Sequence, residues 1–116
     1  MAQRFSFRKA DRILKRSEFV ELSSAGRAVR SDLFIAVVLL SQGEQSRLGV
    51  TVSRKVGGAV VRNRIKRLAR EHFRLNRRLL RQPMDINLIA RKAAGRQPNQ
   101  AIFQALQKIF EELSGA

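Results

Sequence analysis

The chain has 116 residues, 44% of them apolar, which suits one domain with one core, and it carries no cysteine and a single histidine. Those counts exclude a disulfide framework and a thiolate metal site, and they argue against a histidine-based metal centre. A formal net charge of +15, with 18 Arg among the 24 cations, strains a compact chain unless a polyanion relieves it, and arginine's planar fork suits phosphates and bases.

Residues 1–15 are basic and aperiodic and read as a flexible N-terminal arm, leaving residues 16–116 as one domain. The opening MAQRFSFRKADRILKR has no uninterrupted apolar segment, and no apolar run nears the ~20 residues of a bilayer span, so a cytoplasmic protein without a membrane partner is expected. In RSEFVELSSAGRAVRS, Ser17 is placed to cap a helix over about 17–25, with Gly26 as its left-handed C-terminal residue. LFIAVVLL (Leu33 to Leu40) is one strand. RLGVTVSRK, with Leu48, Val50 and Val52 alternating against Gly49, Thr51 and Ser53, is another, and the polar loop SQGEQS makes the two read as an antiparallel pair.

After the glycines of VGGAV the pattern turns helical from about Ala59 to about Leu80, ahead of Pro83. MDINLIARK is a third strand, with Ile86, Leu88 and Ala90 alternating against Asn87 and Ile89. AIFQALQKIFEEL is a last helix with Ile102, Phe103, Leu106, Ile109, Phe110 and Leu113 at helical spacing. The fold class is therefore α+β, a small sheet packed by helices in the order α-β-β-α-β-α.

The second helix divides by charge. Val61, Ile65, Leu68, Leu75 and Leu79 share one arc; Arg62, Asn63, Lys66, Arg70, Arg74, Arg77 and Arg81 oppose them, and Arg64, Arg67 and Arg78 widen the basic face. Between Arg54 and Arg81 there are eleven cations and one acid, Glu71, so pairing along the helix cannot neutralise this face and a phosphate-bearing partner is the simpler account. Gly57 and Gly58 let a ligand approach the helix start, whose free N–H groups favour phosphate, with Arg54 and Lys55 on the approach. Neither GxxxxGK[ST] nor GxGxxG occurs, so nucleotide hydrolysis is not expected. His72 lies on the apolar arc and reads as a packed histidine, and Phe73 at its boundary reads as core. Asp85 and Glu71 are isolated, so no catalytic residue and no metal ligand is assigned.

The run RLGVTVSRKVGGAVVRNRIKRLARE, Arg47 to Glu71, resembles the signature region of bacterial ribonuclease P protein subunits, and RSEFVELSSAGR, DINLIARKAA and the final helix extend the similarity over nearly the whole chain. The resemblance implies a ribonucleoprotein endonuclease that removes the 5′ leader of precursor tRNA, with Mg²⁺-dependent hydrolysis by a catalytic RNA and no further protein partner required. It implies catalytic-RNA contacts at Arg62, Asn63, Arg64, Lys66, Arg67 and Arg70, to which Arg54 on the approach to the helix is added, and a left-handed crossover through the basic helix between parallel strands. It also implies a cleft for the single-stranded leader beside Phe19 and Lys55. Ser23 and Val37 stand where the family often has aromatic residues, so leader stacking falls to Phe34 or the arm, or weakens. A ribosomal or general RNA-binding protein remains the alternative: it accounts for the charge but not for the RNRIKRLARE match.

Overall fold

The computed structural model describes residues 9–41, 43 and 45–115. A 3₁₀ turn at Lys9–Asp11 leads to helix α1 (Arg16–Ala25), strands β1 (Arg27–Arg30), β2 (Phe34–Leu40) and β3 (Arg47–Thr51), helix α2 (Ala59–Asn76), strand β4 (Met84–Ala90) and helix α3 (Asn99–Leu113). Further 3₁₀ turns at Arg77–Leu79 and Lys92–Arg96 flank β4. The α+β class stands, with one strand more than the sequence suggested.

That strand, RAVR, is short and carries an arginine at each end, which suits a sheet edge and hides it from pattern reading. It turns into β2 through Ser31, whose hydroxyl accepts the Phe34 N–H at 3.1 Å while its own N–H donates to the Phe34 carbonyl at 2.8 Å. Gly26, before β1, has φ −79° and is not left-handed. It is glycine because a Cβ there would lie 2.5 Å from the Leu22 carbonyl oxygen and 2.8 Å from Val37 Cγ1. Ser17 is not the cap of α1 either: the helix begins at Arg16 with Lys15 as its cap, whose N–H donates to Glu18 Oε1 at 3.4 Å.

The strand order is β1-β2-β4-β3. β2 and β3 therefore do not pair, against the sequence expectation: β4 enters between them, antiparallel to β2 and parallel to β3. The reason is burial, since β4 buries both faces over most of its length and belongs at the centre, whereas β3 ends in the exposed Thr51 and suits an outer position. The loop after β2 easily spans the ~10 Å that two strand spacings require. The unit β3, α2, β4 joins adjacent parallel strands, the pairing that the resemblance implies.

One sheet face makes the core. Val29, Phe34, Ala36, Val38, Leu48, Ile86, Leu88 and Ala90 meet Ile65, Leu68, Ala69 and Phe73 of α2 and Ile102, Leu106, Ile109 and Phe110 of α3. The buried stripe of α2 is turned toward α3, so Leu75 and Leu79, expected inside, are exposed. Asn76 accounts for part of this: its amide donates to the His72 carbonyl at 2.8 Å and the α-helix stops there, changing phase before Leu79. α1 covers the opposite sheet face through the buried Leu22.

Residues 1–8 of the expected arm lie outside the described residues. Residues 9–13, expected to be without structure, instead pack along β3: Arg12 bridges Leu48 in parallel, and the Ile13 N–H donates to the Leu48 carbonyl at 3.0 Å. Ile13 is buried, and the buried Asp11 carboxylate meets Arg77 Nη1 at 2.7 Å and the Gln45 amide at 3.2 Å. One apolar residue and one paired acid are enough to hold this stretch on the open edge of β3.

Candidate nucleic-acid interface

Two surfaces bear the residues that the sequence singled out, on opposite sides of the sheet. The first is the outward face of α2. Gly58 is its N-cap, and no side chain caps the free N–H groups of its first turn. Asn63 and Arg67 are exposed, Arg62, Lys66 and Arg70 are half-buried along their stems, and Arg54 and Lys55 are exposed in the turn before the helix.

Arg64 differs from its neighbours. Its guanidinium donates from Nη1 to Asn99 Oδ1 at 2.7 Å and from Nη2 to the Gln97 carbonyl at 3.1 Å, bracing α2 against the start of α3. Arg12, outside the expected set, joins the basic face from the N-terminal segment: Arg12, Arg67, Arg70, Glu71 and Arg74 line a hollow of about 350 Å³. Burial, and then the Arg12 guanidinium beside it, push the Arg70 pKa down. Nothing in the sequence spacing of Arg12 announces this, because a sheet-edge bridge brings it there.

The second surface is the sheet face under α1. The strand registers place Ile35, Ile89 and Thr51 in one row across it, Val37, Asn87 and Gly49 in the next, and Leu39, Asp85 and Arg47 in a third. The half-buried Phe19 ring lies over Gly49, where an added Cβ would come within 2.5 Å of its Cε1, so only glycine admits the ring this close to the strand. α1 is tied down beside it by Arg47, which donates from Nε and Nη2 to the two Asp85 carboxylate oxygens at 3.0 and 2.8 Å and meets Glu18 Oε2 at 2.8 Å. The Arg47 hydrogen bond holds the Glu18 carboxyl below its usual range, and Asp85 and Glu18 together raise the arginine's pKa.

Of the four residues assigned to the leader, Phe19 and Val37 share this face, and Lys55 is exposed in the turn beyond the end of β3. Phe34 does not: it is fully buried on the opposite face, because alternation along β2 puts Phe34, Ala36 and Val38 inward and Ile35, Val37 and Leu39 toward α1. The residues of this face that sequence reasoning passed over are Ile35, Ile89, Thr51 and Asn87. Only Asn87 gave a signal, a lone amide in an apolar strand.

His72 is buried against Phe103 and Phe110, with Nε2 3.4 Å from Gln107 Oε1, and burial pushes its pKa down. These carboxylates are held by arginines, Glu18 and Asp85 both on Arg47, Asp11 on Arg77 and Glu71 on Arg74. Among the described residues no three His, Cys, Asp or Glu come together. No helix among them is long and apolar enough to cross a membrane.

The sequence profile of the Ribonuclease P family matches residues 7–114. The chain belongs to the ribonuclease P protein family. A ribonuclease P protein component from Desulfatibacillum aliphaticivorans is 48% identical over 110 residues, covering 95% of this chain and 93% of its own. One from Geotalea uraniireducens is 39% identical, covering 96% and 97%. The Staphylococcus aureus RNase P protein structure superposes with a TM-score of 0.84 at 32% identity, over 90% of this chain and 95% of that one. The Thermotoga maritima RNase P protein gives 0.79 at 28% identity, over 87% and 96%. The ribonuclease P family thus accounts for both the sequence signature and the strand order.

Proposed function

We propose that this chain is the protein subunit of a ribonucleoprotein ribonuclease P, binding the catalytic RNA along the outward face of α2 and the 5′ leader of precursor tRNA in the cleft under α1. The observation that carries this reading is the separation of two unlike surfaces. One is an arginine face with free helix N–H groups, suited to a folded RNA backbone. The other pairs the Phe19 ring with an apolar floor, suited to a single strand whose bases stack and whose phosphates meet Lys55.

On this reading hydrolysis belongs to the RNA. Among the described residues the arginine-paired carboxylates do not fit a chelated Mg²⁺ ion, so the ions that activate water would be held by RNA phosphates. What the chain's own residues do is positional: Arg62, Lys66, Arg67 and Arg70 neutralise phosphates, Arg64 keeps α2 fixed on α3, and Phe19 holds the leader in line.

Cleavage of a 5′-leadered precursor tRNA at low Mg²⁺ tests this with bacterial ribonuclease P RNA alone, protein alone and the mixture. Cleavage at the mature 5′ end should require the mixture. Tight RNA binding without stimulation would favour a general RNA-binding role, and cleavage by protein alone would overturn the assignment of chemistry to the RNA.

A further inference from the structure

A cleft that must admit a single strand cannot be closed by apolar packing along its whole length, and α1 fully buries only Leu22. The rest of its hold on the sheet is polar and gathers on Arg47. This residue lies on the same face of β3 as Gly49, two positions and about 7 Å along the strand, and Glu18 directly precedes Phe19. The Arg47 guanidinium gives Nε and Nη2 to the two Asp85 oxygens at 3.0 and 2.8 Å, and Nη2 also meets Glu18 Oε2 at 2.8 Å. One side chain thus joins β3, β4 and α1 beside the Phe19 ring. An isolated surface ion pair contributes little, but a two-pronged arginine–carboxylate contact within a three-charge network, each member less than a third exposed, is the exception. Glu21 lines the same hollow of about 650 Å³ as Glu18 and Asp85, and Arg47 is the only cation among the described residues that line it.

We infer that Arg47 is a positioning residue for leader capture: by holding Glu18 to Asp85 it sets α1 at the height above the sheet at which the Phe19 ring rests on Gly49 beside an open cleft. This rests on the leader-cleft reading above. With ten residues α1 is too short to be stable alone in water, so its position follows from its ties to the sheet. Glu18 and Leu22, four residues apart, lie on one face of the helix, and they fix its start and its middle. Without the tie at Glu18 the helix is free to tilt about Leu22, and the ring next to Glu18 leaves Gly49. The tie needs an arginine, because a lysine ammonium is a point charge without the fork that engages Asp85 and Glu18 at once. Arg47 also offsets the charge of two carboxylates that stand at one end of the path of a polyanion.

The test uses the reconstituted holoenzyme and the ratio of its affinities for precursor and mature tRNA. By charge alone, removing a carboxylate near a polyanion strengthens binding, so Glu18→Ala separates charge from position by the sign of its effect. Position requires the ratio to fall, by about fivefold, the factor one net hydrogen bond supplies, with affinity for the catalytic RNA unchanged. Glu18→Gln, which keeps an uncharged acceptor for Arg47, should recover part of the loss, and Arg47→Lys should lower the ratio by a similar factor. Because the tie acts through Phe19, Glu18→Ala should add little in a Phe19→Ala background, where independent sites would multiply. A ratio that Glu18→Ala leaves unchanged or raises, or a loss that multiplies with that of Phe19→Ala, would overturn the inference while leaving the leader cleft standing. A ratio that Phe19→Ala alone does not lower would overturn both.

Discussion

Phe19 and Phe34 are the same residue type in similar apolar surroundings, yet one faces the cleft and the other the core. Phe34 is fully enclosed beneath the helices, so Phe34→Ala should destabilise the domain by about 3–5 kcal/mol through lost burial and an unfilled cavity. Phe19 is half-buried over Gly49, and Phe19→Ala should cost only about 1–2 kcal/mol. Its signature is functional: the assembled particle should lose affinity for precursor tRNA and retain it for mature tRNA. Thermal unfolding of both variants beside the two tRNA affinities checks this, and an equal loss for both tRNAs would make Phe19 a fold residue. The run LFIAVVLL could not tell these roles apart, because β2 is apolar on both faces and period-2 reading then has no polar residue to orient it. For the same reason Asn87, which breaks such a pattern, is the residue whose place in the cleft was most nearly legible.

At the scale of elements, helices were easier to read than strand neighbours. Charge segregates around α2 strongly enough to mark its outward face, and both long helices were found within a few residues of their ends. Pairing was not legible, since the centrality of β4 depends on burial from both sides, and β1 was missed because edge strands are short and charged. The α2–α3 contact carries a pH dependence. His72 is buried among Phe103, Phe110 and Gln107, and this burial outweighs the Gln107 hydrogen bond, so its folded pKa lies below the ordinary ~6.5 of the unfolded chain. Between those two values the unfolded chain binds the extra proton. Stability is thus complete above about pH 6.5 and falls as pH drops toward the lowered value, by at most about 1.4 kcal/mol per unit. The only histidine of the chain makes this window clean. Urea unfolding from pH 7.5 to 5 should show the decline in the natural protein and a flat response in His72→Phe; a decline that persists in the variant would assign it to other groups.

The whole molecule carries its +15 at ordinary domain density, with a radius of gyration of 13.4 Å against the ~13 Å of a neutral domain of this size. The charge is therefore not relieved by expansion, and the crowding of Arg12, Arg67, Arg70 and Arg74 concentrates it on one side. Salt should act on the free and the bound protein in opposite directions. Screening over the ~8 Å Debye length of physiological salt weakens repulsion among these cations, so added salt should raise the melting temperature of the free chain. The same salt competes with release of counterions from the RNA. If about six phosphates are neutralised, the logarithm of affinity should fall against that of salt with a slope between about −4 and −5.5. Differential scanning fluorimetry and filter binding across one salt series measure both. A melting temperature indifferent to salt would mean that the repulsion is already compensated within the fold, and a slope near zero would remove the arginine face of α2 from the RNA interface.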